Sequence, residues 1–178
     1  NLYRIKEDLG MSVPVVCALF LTAVAAYFDW RWQKIPNLLA LTGWVIGAGL
    51  WMGFRGFRGL SVWALGALIP GLAALAVCRL GAIGAGDVKL ISALGAILSY
   101  KRGLWVFLAA GVLAVVAGIG RYMQKGELHL LPGRVLHRLQ EICHGEVSAK
   151  AGETRVCFAA MLLGGVLLRA LQEWWWLH

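Results

Sequence analysis

Five long apolar stretches divide the chain: Val13–Phe28, Leu38–Phe54, Leu60–Val77, Leu104–Ile119 and Val156–Trp176. Most approach the roughly 20 residues a helix needs to cross a bilayer. A sixth stretch, Val88–Leu98, is shorter. This pattern predicts an all-α, polytopic membrane protein of about six transmembrane helices, with a short fourth helix that starts inside the bilayer. Residues 1–10 are polar and read as a flexible or foreign extension ahead of Met11. Residues 11–178 read as one transmembrane domain, with a polar segment over 121–155. The first apolar stretch runs straight into Asp29-Trp30-Arg31 without a small-residue cleavage site, so it reads as a retained span rather than a signal peptide.

Charge is scarce along this pattern, and where it falls is informative. Of nine acidic residues, Asp29 closes the first apolar stretch and Asp87 opens the short one, in the run Gly84-Ala85-Gly86-Asp87. A carboxylate at the bilayer boundary is costly unless it reaches water or serves a function, and a pair of them suggests chemistry on a shared proton. Two crossings separate the two positions, so both emerge at one membrane face. That face carries ten basic residues, Arg31, Lys34, Arg79, Lys89 and six within 121–155, against seven on the other, or five without residues 1–10. The positive-inside rule therefore makes the aspartate face cytoplasmic.

Depth follows from length. Asp87 and Tyr100 are 13 residues apart, about 20 Å of helix at 1.5 Å per residue, against a hydrocarbon core of about 30 Å. If Tyr100-Lys101-Arg102 marks the outer interface, Asp87 lies below the inner one, in a loop that Gly81, Gly84 and Gly86 make pliable. Each aspartate also has a plainer reading. Asp87 is well placed as an N-cap for the following helix. Asp29 sits among Tyr27, Phe28, Trp30 and Trp32, an interfacial aromatic belt.

Composition narrows the class further. With 60% hydrophobic residues, 15% charged residues and nine Trp, the chain does not describe a soluble domain. The net charge of +8 sits at span ends, where it faces anionic lipid, so membrane lipid is an expected partner and nucleic acid is not. Cys17, Cys78, Cys143 and Cys157 lack C-x-x-C spacing, and His129, His137 and His144 follow no metal-site template, so no metal is implied. Arg169, late in the last stretch, can snorkel outward or pair with Glu173 at i+4. From Gly133 to Val147 the spacing permits an amphipathic helix on the inner leaflet. Gly43-x-x-x-Gly47 and Gly49-x-x-x-Gly53 suit close helix packing, within the chain or across a homodimer.

The two aspartates also lie in recognisable surroundings. Asp29-Trp-Arg-Trp-Gln-Lys-Ile35-Pro36-Asn37 resembles the first signature of the prepilin peptidase family. Gly84-Ala85-Gly86-Asp87-Val88-Lys89-Leu90 is similar to its second, the G-x-G-D motif shared with other intramembrane aspartyl proteases. The resemblance extends from about Met11 to Arg155-Val-Cys-Phe-Ala-Ala, where Cys157 stands in place of the usual proline. It implies an endopeptidase in which Asp29 and Asp87 activate water to remove the short basic leader of a prepilin, in the bacterial inner membrane. Pro36, Asn37, Gly84, Gly86 and Lys89 are the supporting motif positions. Pro36 biases Ile35 away from helix and starts the second span. Asn37 could orient Asp29 or satisfy backbone groups, and Lys89 could stabilise Asp87 or reach the headgroups. Larger members carry a cytoplasmic extension with paired C-x-x-C motifs, linked to methylation of the pilin. This chain resembles the minimal, peptidase-only type of tight-adherence (Flp) pili, and no cofactor is implied.

Two other classes use the same residues differently. A small transporter or proton relay could pass protons along the acid pair, although no internal repeat is visible between the halves. An inactive scaffold is the third.

Overall fold

The computed structural model describes residues 2–32, 35–80, 83–124 and 158–177. Among them are six α-helices and no strand: α1 (Leu2–Trp32), α2 (Asn37–Arg55), α3 (Phe57–Arg79), α4 (Ala85–Leu98), α5 (Tyr100–Gln124) and α6 (Phe158–Leu177). The all-α, multi-pass expectation is met. Four stretches are long and apolar enough to cross a bilayer: Val13–Trp32, Asn37–Arg55, Phe57–Arg79 and Tyr100–Gly120. The 14 residues of α4 are too few for a full crossing, and the charges Arg169 and Glu173 interrupt the apolar course of α6. The amphipathic helix expected over 133–147, the segment entering the last span, Cys143, Cys157 and Gly81 lie outside the described residues.

The short helix forms the middle of the bundle. α4 packs against α1, α2, α3 and α5, while α6 lies against α1 and α5. Leu90, Ile91, Leu94, Ile97 and Leu98 are all at most 1% exposed, so the C-terminal two-thirds of α4 is buried all round. Large apolar side chains on the outer helices, such as Phe20, Leu72 and Val112, point outward, as a lipid-facing surface requires. A helix apolar on every face is a core helix, and here the core is made of protein rather than lipid.

Small residues bring the neighbours this close. A Cβ on Gly43 would press on Ala93 and Leu21, and one on Gly47 would meet the Ala96 backbone at 2.8 Å. The first G-x-x-x-G pair is therefore spent inside the chain, on α4. Gly49 and Gly53 face open space. On the other side, Pro70 inside α3 supplies no N–H to the carbonyl of Gly66 four residues earlier. That carbonyl faces Gly95 of α4, where any side chain would overlap it. Gly103 of α5 closes on the same point, so three backbones meet around Pro70.

The helix ends obey the same economy. The Trp51 indole N–H of α2 donates to the carbonyls of Ala96 (3.0 Å) and Ile97 (3.2 Å), in the last turn of α4. Without a donor those carbonyls would be stranded in an apolar interior. One residue, Ser99, then separates α4 from α5, with φ of 77°. Gly56, with φ of 59°, makes an equally short junction between α2 and α3.

Candidate active site

The C-terminal end of α1 and the N-terminal ends of α2 and α4 meet at one end of the bundle. Asp29 lies in the last turn of α1, which continues to Trp32. Around it, Phe28 and Trp32 stack with ring centroids 5.0 Å apart, and Tyr27 meets both edge-on. Trp30 is 79% exposed. The aromatic belt expected around Asp29 is thus present, and the aspartate itself is half-buried beside it.

Asp87 is placed by the start of α4, in a way that corrects one expectation. The helix begins at Ala85, with Gly84 as its extended N-cap residue, so Gly86 and Asp87 are helical rather than part of a loop. Asp87 occupies the third helical position and reaches back: the Gly84 N–H donates to its Oδ2 at 3.1 Å. Its own N–H donates to the Gly84 carbonyl at 3.1 Å. The carboxylate therefore caps the helix from within, not from the cap position. Glycine at position 84 leaves room for this return, since a Cβ there would sit 3.3 Å from Oδ2.

The cap does not exhaust the Asp87 carboxylate. Asp29 lies near enough for the two groups to feel each other's charge, and Asp87 is likewise half-buried. Two aspartates 58 positions apart in sequence thus lie at the same end of the bundle.

Ile35 and Pro36 lead into α2 beside this end of α4. Pro36, at φ −61° and ψ 136°, is the residue before the first turn of α2, and its carbonyl accepts the Leu39 N–H at 3.0 Å. Ile35 lies beside Gly86, where an added Cβ would meet its side chain at 3.6–3.9 Å, an ordinary contact. Asn37 opens α2, and its Oδ1 accepts a 2.9 Å hydrogen bond from the Lys89 Nζ. So Lys89 makes a bond that neither of its sequence readings anticipated. Positions two apart on a helix do not face each other, which turns Lys89 away from Asp87 and toward α2.

Two contributors carry no motif of their own. Ser92, on the next turns of α4, donates to the Ala67 carbonyl at 3.0 Å and accepts from the Trp44 indole at 3.3 Å. With Trp51, it pins the depth of α4, and thereby of Asp87, against α2 and α3. Isolated Ser and Trp residues within apolar runs gave no signal of this.

The region from residue 15 to 119, more than half of the chain and including both aspartates, matches the model of the type IV leader peptidase family. No curated protein and no solved structure matches the chain. A match over more than half of the chain decides the assignment: the chain belongs to the type IV leader peptidase family.

Proposed function

We propose that this protein is an intramembrane aspartyl endopeptidase that removes the basic leader of prepilins at the cytoplasmic face of the bacterial inner membrane, with Asp29 and Asp87 as its catalytic residues. The carrying observation is the meeting of two half-buried carboxylates, one from the end of α1 and one from the start of α4, within each other's electric field. Like charges held so close favour a single shared proton, and their titration belongs to the pair. The protonated carboxyl polarises the scissile carbonyl. The ionised one takes a proton from water as its oxygen attacks the carbonyl carbon, and the amine leaves with a proton from the pair.

The surroundings suit a substrate with a hydrophobic helix and a basic leader. The helix can lie in lipid beside the outer face of α1, and the leader can stay at the headgroups, where anionic lipid concentrates it. Gly84, Gly86 and Pro36 serve as backbone devices that set the two helix ends. The basic residues near this end of the bundle, Arg31, Arg79 and Lys89, support a cytoplasmic orientation.

The test is cleavage of a prepilin by the purified full chain, followed on a gel, for wild type, Asp29→Asn and Asp87→Asn. Both variants lose leader removal by at least a hundredfold. Wild-type rates in both would end the two-aspartate mechanism. Proton flux through substrate-free liposomes that disappears in the same variants would instead establish the proton-relay alternative.

A further inference from the structure

Lys89 is an odd residue to find where it is. It stands in the first turns of α4 and reaches the first turn of α2, so its ammonium faces two helix N-termini, whose exposed amides carry positive partial charge. An ammonium there is electrostatically disfavoured on both counts. Its carboxylate neighbour, Asp87, is two residues back and faces away. The residue is exposed, and its amine is tied at 2.9 Å to a neutral acceptor, Asn37 Oδ1, 52 positions earlier.

We propose that Asn37 and Lys89 form a positioning pair that sets the separation of Asp29 from Asp87. The inference rests on the two-aspartate reading. Asp87 is rigid with respect to α4 through its bond to Gly84. Asp29 belongs to α1 and is linked onward through Ile35 and Pro36 to Asn37. The Asn37–Lys89 bond is a directional contact between the first turns of α2 and α4, added to those that Trp44 and Trp51 make farther along the two helices. A neutral acceptor has a purpose here. It holds Lys89 without adding a third negative charge next to the pair, and it keeps the ammonium from competing with Asp29 for Asp87. Neither Asn37 nor Lys89 touches the reacting atoms; both act through the aspartates.

A double-mutant cycle tests this on the full chain, with a prepilin as substrate and thermal unfolding in detergent as the check on folding. Asn37→Ala and Lys89→Met each lower kcat about tenfold with KM changed less than twofold, and the double variant is no slower than either alone. Exchanging the partners, Asn37→Lys together with Lys89→Asn, restores the donor–acceptor bond in reverse and recovers kcat to within about threefold. A silent Asn37→Ala, a double variant whose losses multiply to about a hundredfold, or an exchanged pair as slow as the singles would each overturn the proposal. If a single variant fails to fold, the exchanged pair decides alone. Asp29→Asn and Asp87→Asn serve as the separate control. Activity surviving in them refutes the aspartate pair, whatever the cycle returns.

Discussion

At the residue scale, Asp87 caps α4, and substitution can separate that duty from the catalytic one proposed for it. Its Oδ2 takes the Gly84 N–H, and the same group faces Asp29. Asparagine retains an acceptor oxygen but cannot ionise. Asp87→Asn should therefore melt like wild type while failing to cleave, whereas Asp87→Ala loses both activity and about 0.5–2 kcal/mol of stability, the usual cost of a lost cap. Thermal melts paired with the cleavage gel separate the two outcomes. Sequence alone offered cap and catalyst as compatible readings of one carboxylate. The helix start at Ala85 shows how the cap is made, from the third helical position rather than the cap position. Ser99 makes a second test. Its φ of 77° is unfavourable for a side chain, so Ser99→Gly should match or exceed wild-type stability, and Ser99→Val should cost about 1–3 kcal/mol.

At the element scale, the apolar runs marked out the helices well but misplaced their ends. α1 extends past Asp29 to Trp32, and α4 starts before Asp87. Hydropathy records what a segment touches, whereas helix ends depend on local caps and turns, such as the Gly84 return and the Ser99 junction. Glycine spacing had the same limit: two G-x-x-x-G pairs in α2 look alike, yet Gly47 abuts the Ala96 backbone and Gly49 meets nothing. Gly47→Ala should lower stability by about 1–3 kcal/mol through overpacking. Gly49→Ala should be neutral or better, as helix propensity favours alanine. Equal effects on thermal unfolding would mean that α2 is rotated from the position described. Trp51→Phe preserves packing but removes the donor to two α4 carbonyls, a loss of about 1–3 kcal/mol.

At the scale of the whole molecule, the two ends of the bundle are built on opposite principles. The aspartate end gathers like charges. At the far end, Glu173 of α6 lies between Arg169 of its own helix (3.2 Å) and Arg102 of α5 (3.4 Å), with the Arg169 guanidinium 5.9 Å from the Trp105 ring. The i+4 pair was visible in the sequence; the contribution of Arg102 was not, because it depends on α6 lying against α5. Glu173→Gln should loosen this end and lower stability more than Arg102→Ala, since it leaves two arginines unmatched rather than removing one of two. Melting temperatures of the two variants give the comparison.

Burying the C-terminal two-thirds of α4 on every side also changes what the bilayer can do to this protein. A helix in contact with lipid tilts or shifts when the hydrocarbon layer thickens or thins. α4 is shielded by α1, α2, α3 and α5, so the outer helices absorb such changes while the carboxylate of Asp87 stays at its depth among them. In vesicles of increasing acyl-chain length, leader removal should vary far less than the tilt of α2 or α3. Under the proposed mechanism, the bundle itself then fixes where the cut is made, and the surrounding lipid has little say in it.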